Sequence, residues 1–219
     1  MRSFLVAPVF LAIGATSALA EIPWKEAKAR LKQENTHLVR QGTRDKYFVI
    51  CTLYYTPKES GFTAARGFDT RMETRPGLKG RKYSRDFLLA VKKEGIGRIQ
   101  QAVDGHNYIR YKDGRSYSFA GQPVGRGGVL LVARFSAATR RWQKGLGLGN
   151  ELVIAEHEVQ KVFRNNRWRI VDTGGGLDRW QVDLYWGEDE PRGPGNLMAR
   201  PRGTAFEYAY SEVQIQRSR

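Results

Sequence analysis

From residue 46 onward, glycine, asparagine and proline cut the chain into short runs dense in β-branched and aromatic side chains. Such runs suit strands, and their spacing predicts an all-β barrel or sandwich with minor helices. The runs are 46–56 (KYFVICTLYYT, stopped by Pro57), 106–111, 115–119, 129–135, 152–163, 167–172, 180–186 and 206–215. Helix-forming composition marks 24–36 (WKEAKARLKQENT), with Trp24, Ala27 and Leu31 at helical spacing. The segment 84–95 (SRDFLLAVKKEG) fits either a short helix capped by Ser84 or a strand, and 57–83 reads mostly as loop.

The first twenty residues, MRSFLVAPVFLAIGATSALA, have the layout of a secretory leader. Arg2 supplies a basic start, Phe4 to Ile13 an apolar stretch too short for a membrane span, and Ala18-x-Ala20 a small-residue cleavage site. No cysteine follows that site, so a lipid anchor has no attachment point there. This predicts export to the periplasm or cell envelope, with residues 1–20 as leader and 21–219 as a single domain. Cys51 is the only cysteine, so no internal disulfide staples the fold; it reads as a small core residue. The formal net charge of +15 favours polyanionic partners such as wall polysaccharide, and export argues against nucleic acid. His37, His106 and His157 are dispersed without metal-ligand spacing, so neither metal nor cofactor is expected.

The most informative segment is VDTGGGLDRWQVDLYWGEDE, residues 171–190. Period-two alternation places Trp180, Val182, Leu184 and Trp186 on one strand face, and Gln181, Asp183 and Tyr185 on the other. The first face suits a core. The second sets a carboxylate between an amide and a phenol, which suits either solvent or a polar ligand. The TGGG turn between Asp172 and Asp183 lets main chain approach a ligand closely. It lacks the Lys-Ser/Thr pair and following helix of a phosphate loop, and GLGLG (145–149) lacks the context of a dinucleotide site.

DTGGGLDRWQVDLYWG resembles the signature of the three-Asp (3D) domain found in the membrane-bound lytic transglycosylase A family and in smaller wall-remodelling proteins. Upstream, YYTPKESGFTAARGFDT resembles that family's Tyr-Thr-Pro segment, and LGLGNELVI its Pro-Leu-Gly strand; the matches run in the expected order from residue 54 to 187. The resemblance implies a six-stranded double-psi β-barrel whose motif core lies at 47–187, with insertions and a short N-terminal helix. One feature departs from the family: its first aspartate precedes the Leu-Gly strand, where this chain has RFSAATRRW without an acid. Asp104, in QAVDGHNY, stands too far upstream to replace it.

The implied activity is lytic cleavage of the MurNAc–GlcNAc linkage of peptidoglycan, leaving 1,6-anhydroMurNAc ends. By resemblance Asp183 is the single acid/base and Asp172 its support, while Thr56, Glu59, Gly174, Gly175, Gln181 and Tyr185 line the glycan site. One carboxyl suffices because the C6 hydroxyl of the sugar attacks its own anomeric carbon. Desolvation by surrounding aromatics would raise the pKa of Asp183 usefully. Tyr54, Tyr55, Tyr185 and Trp186 fit either sugar stacking or core packing, and Asp178 fits a solvated turn. The alternative is a non-catalytic wall-polysaccharide-binding barrel. An ordinary hydrolase needs a second carboxylate near Asp183, for which Glu156 and Glu158 are the sequence candidates. Arg66, Arg71, Arg75, Lys79, Arg81 and Lys82 form a basic cluster, either a steering surface or a solvated loop.

Overall fold

Six strands close on one another in the order β1 (Lys46–Pro57), β10 (Gln181–Asp189), β7 (Ser136–Arg140), β9 (Arg167–Gly174), β8 (Glu151–Ile154) and β11 (Ala209–Gln216). The computed structural model describes residues 23–112, 114–126, 128–143, 145–195, 200–203 and 208–216. The pairs β1/β10 and β7/β9 run parallel and the other four antiparallel, so this barrel presents no free edge to another chain. The expected all-β barrel with insertions and an N-terminal helix is therefore present.

Alternation along each strand fills the interior. Val49 and Cys51, Val182 and Leu184, Trp168 and Ile170, Leu152 and Ile154, and Val213 and Ile215 all point into one core. Trp168 is fully buried, with Phe163 edge-on against it at 4.7 Å. Burial pushes the Cys51 thiol up, consistent with an inert core residue.

Helix α1 (Trp24–Arg40) runs four residues past the predicted end and packs Ala27 and Leu31 on Ile50. Its buried Asn35 exchanges two hydrogen bonds of 2.8 Å with the Phe48 backbone, fixing the helix against β1.

Between β1 and β7 the chain makes a large excursion. It carries the short pair β2 (Met72–Glu73) and β3 (Tyr83–Ser84), helix α2 (Arg85–Glu94), and an antiparallel sheet of β4 (Ile96–Val103), β5 (His106–Lys112) and β6 (Ser116–Ala120). Phe87, Leu88, Ala90 and Val91 of α2 share a core with Ile99, Val103, Ile109 and Tyr117 of that sheet. Gly95 ends the helix at φ 87°, a left-handed angle that a side chain would resist, and its N–H returns to the Val91 carbonyl. A third cluster joins excursion to barrel, with Ile96, Tyr108 and Leu131 packed on Tyr54, Ala138, Val171 and Tyr185.

Several sequence expectations need correction. Residues 129–135 are not a strand: only Leu130 bridges, to Val124, and Val129, Leu130 and Val132 are about half exposed (46%, 46% and 47%). The strand there is Ser136–Arg140, whose small residues fit between crowded neighbours but carry little β propensity. Residues 152–163 split, β8 stopping at Ile154 and α3 (His157–Phe163) starting from an N-cap at Glu156, whose side chain accepts from the Glu158 N–H. β4 was not predicted, since its polar Arg98, Gln100 and Gln101 hide the strand signal. The 84–95 segment is helical, but the Ser84 hydroxyl makes no capping bond. The expected leader (1–20) and the start of the 206–215 run lie outside the described residues. Among the described residues no helix is long and apolar enough to cross a membrane.

Candidate active site

A cleft of about 700 Å³ opens where the excursion meets the outer faces of β10, β7 and β9. Register sets its floor. Asp183 on β10 pairs with Ala138 on β7, and Ala138 pairs with Asp172 on β9, so the two acids flank one small residue. The β9 register skips Val171, and this bulge brings Asp172 level with Ala138. No acid stands on β7, in keeping with the departure noted at RFSAATRRW.

Asp183 is held by a directed chain of polar groups. The Asp178 N–H donates to Gln181 Oε1 at 2.9 Å, Gln181 Nε2 donates to Thr52 Oγ1 at 2.9 Å, and the Thr52 hydroxyl donates to Asp183 Oδ1. The amide thus leaves the Thr52 proton one place to go. Burial raises the Asp183 carboxyl to about 6; the Thr52 hydrogen bond opposes that shift, and the neighbouring Asp172 charge adds to it. Asp172 Oδ1 accepts two backbone N–H bonds of 2.8 Å, from Thr173 and from Arg126. Burial still leaves its carboxyl raised, against those bonds and the Arg110 and Arg126 charges.

The loop carrying Arg126 crosses directly over Asp172. A Cβ at Gly125 would lie 2.6 Å from the Val171 carbonyl oxygen and 3.0 Å from Asp172 Cβ, so only glycine permits this approach. The TGGG turn does not use its glycines for left-handed backbone angles. None of its glycines has a positive φ, and Gly175 and Gly176 have open space beside them. Their lack of side chains leaves bare main chain on the cleft rim.

The other predicted site residues separate into two groups. Gln181, Gly174 and Gly175 line the cleft. Thr56 and Tyr185 lie beneath it, 0% and 2% exposed, sharing a 2.7 Å hydrogen bond between hydroxyls. Glu59 is displaced to a separate hollow with Lys58 and Arg98, where it accepts from the Gln100 N–H. The Tyr-Thr-Pro segment leaves the cleft because β1 ends there and the chain turns into the excursion. Tyr55 is core, and Trp186 packs against the barrel interior. Asp178 pairs with Lys28 of α1. Glu156 caps α3 and Glu158 lies exposed on the same helix, and neither lines the cleft, so neither serves Asp183 as a second acid. Four of the six clustered cations are paired, Arg66 with Glu190, Arg71 with Asp69, Arg75 with Glu73 and Lys79 with Asp104.

Sequence reasoning missed Glu94 and Arg110, which enter the cleft from α2 and β5. Burial, then the Asp183 charge, lifts the Glu94 carboxyl to about 8. Two hydroxyls at the cleft, Tyr54 Oη and Thr173 Oγ1, are buried without a partner among the described residues. Unpaired buried hydroxyls are costly, and a polar ligand in the cleft would relieve them. A second hollow of about 800 Å³ along α1 contains one acid, Glu34, which is already bound by Arg30 and Tyr210. Among the described residues no group of three or more metal-ligating side chains occurs.

No protein-family model matches the sequence, and no curated protein matches it. Solved structures do share the fold. That of Escherichia coli MltA with bound chitohexaose has 15% identity, covers 88% of this chain and 84% of its own, and gives a TM-score of 0.51. That of the membrane-bound lytic murein transglycosylase from Agrobacterium tumefaciens has 13% identity, covers 83% and 79%, and gives 0.50. At this identity the likeness is one of fold.

Proposed function

We propose that the protein is an exported lytic transglycosylase that cleaves the MurNAc–GlcNAc linkage of peptidoglycan through Asp183. The observation that carries this reading is the state of Asp183: a half-buried acid, oriented by Thr52, with a pKa of about 6, facing a cleft of ligand size. The fold shared with lytic transglycosylases supports it, as does the leader-like start of the sequence.

The chemistry needs one acid. Protonated Asp183 gives its proton to the glycosidic oxygen as the bond from C1 to that oxygen breaks. The C6 hydroxyl of the same muramic sugar then bonds to C1, and the Asp183 carboxylate takes the hydroxyl proton. The products are a 4-hydroxyl on the leaving GlcNAc and a 1,6-anhydro ring, and no water is consumed. Holding C6 and C1 in one sugar gives the attack a high effective concentration. Asp172 supports both stages: its charge helps keep Asp183 protonated, and it lies where positive charge on the sugar ring can be stabilised. Tyr54 and Thr173 offer hydroxyls, and Gly175 and Gly176 offer bare backbone, to the glycan.

Digestion of purified sacculi by wild type and by Asp183→Asn tests this. The expected result is soluble muropeptides with 1,6-anhydro ends from wild type alone; equal release by Asp183→Asn would remove Asp183 from the chemistry. A second reading, a wall-polysaccharide-binding barrel without turnover, is favoured by the acid-free β7. It predicts that both proteins sediment with sacculi and release nothing.

A further inference from the structure

Glu94 is the third carboxyl of the cleft, after Asp183 and Asp172, and nothing in the mechanism above uses it. It is the last residue of α2, anchored where the Tyr55 N–H donates to Oε2 at 3.3 Å and where the Gly95 carbonyl accepts from the Tyr111 N–H at 2.9 Å. Oε1 has no partner among the described residues, and the side chain is half-buried on the cleft wall, within reach of a ligand. A further carboxyl beside a catalytic one has two distinct uses. Ionised, it is the base or nucleophile of a hydrolase. Protonated, it is an O–H donor that holds substrate and cannot activate water.

We propose that Glu94 is a glycan-binding residue of this cleft, donating its carboxyl O–H to an acceptor oxygen of the sugar rather than acting as a second catalytic carboxylate. This rests on the glycan-cleaving reading of the cleft. Three features favour the protonated form. The carboxyl is poorly solvated, the Asp183 charge faces it from β10, and it sits at the C-terminal, partially negative end of α2. Together they keep its proton until about pH 8, above the range in which Asp183 titrates. The other charged or titratable groups lining the cleft are Lys93 on its own helix, Arg110 and Tyr111 on β5, Asp172 on β9, Tyr54 on β1, Arg200 and Tyr208. Lys93 alone among them opposes the shift, and it does so weakly. The acceptor classes this donor suits are an acetamido carbonyl or a sugar hydroxyl, both abundant on N-acetylated glycans.

The test is calorimetric binding of a β-1,4-linked N-acetylglucosamine hexamer to the full chain, at pH 7 and pH 9, bracketing the pKa of about 8. Glu94→Ala should weaken binding at pH 7 by roughly threefold to tenfold, the worth of one neutral hydrogen bond. Glu94→Gln, which keeps the shape and an N–H donor, should recover part of that loss. Wild type should bind more weakly at pH 9 than at pH 7, and Glu94→Gln should lose that dependence, which a merely structural role would not produce. A melting curve for each variant checks folding, and the isosteric glutamine keeps the test open if the alanine variant unfolds. Wild-type affinity in Glu94→Ala would overturn this inference alone. Loss of turnover in Glu94→Gln as complete as in Asp183→Asn would make Glu94 a catalytic carboxylate and overturn it too. A wild type that binds no hexamer would overturn the glycan reading and this inference together.

Discussion

The barrel contributes Asp183 and Asp172 to the cleft and the excursion contributes Glu94, and Asp183 and Glu94 are held in opposite ways. Asp183 projects from β10, paired on both sides by β1 and β7, with Thr52 donating to it. Glu94 sits at the end of a helix and is tied by one long backbone bond. The first arrangement stabilises a carboxylate enough for the acid to titrate near 6; the second leaves the carboxyl neutral to about 8. A proton donor that must also become a base needs the first environment, and a fixed hydrogen-bond donor needs the second.

The strongest way to break that contrast is to neutralise each acid. Asp183→Asn should lower turnover on sacculi by about 10²–10⁴-fold, the usual share of general acid catalysis. Next in size come the cores. Trp168→Ala in the barrel should cost about 3–5 kcal/mol and Ile109→Ala in the excursion about 2–5 kcal/mol. The cluster of Tyr54, Ile96, Tyr108 and Tyr185 joins the two regions, so we expect one calorimetric transition in either variant. Two separated transitions would break the single-domain expectation for 21–219.

A smaller effect is the pH dependence of stability. The folded-state pKa of Glu94 lies near 8, against an ordinary value of 4.5, so the folded chain binds more protons across that window. Its contribution is full below pH 4.5 and is lost as pH rises through about 8. Wild type should therefore melt at lower temperature at pH 9 than at pH 5, and Glu94→Gln should narrow the gap. An unchanged gap would place the proton elsewhere. Smallest is Thr52→Val, which removes a donor that favours ionised Asp183. The alkaline limb of the rate profile should move upward from about pH 6, with less than about tenfold change in peak rate. A downward shift would mean that the hydroxyl opposes ionisation.

The same two regions differ in how much of them was legible in sequence. Barrel strands β1 and β9 announce themselves by β-branched and aromatic density and β10 by alternation, and Asp183 falls on the polar face that the period-two pattern assigns it. Gln181 was visible as a neighbour of Asp183, though its grip on Thr52 depends on β1 lying parallel beside β10. The excursion was hardly legible. Glu94 sits in a segment whose period fits helix or strand, and its place beside Asp183 is set by how α2 packs on β1, far apart in the chain. β7 was invisible for another reason: SAATR has the small side chains that the crowded row around Ala138 demands, and those are poor strand formers. Thr56 and Tyr185 were placed on the right strands but at the wrong depth, because the cleft opens over Ala138 rather than over the end of β1.

The central claim is that the cleft cuts a glycan with one working acid and no water. Digestion of sacculi in water enriched in heavy oxygen, read by mass spectrometry, tests it most directly. The account predicts 1,6-anhydro ends carrying no heavy oxygen, from wild type and not from Asp183→Asn. Reducing ends that carry the label would contradict it, and would make Glu94 the first candidate for the water-activating carboxylate.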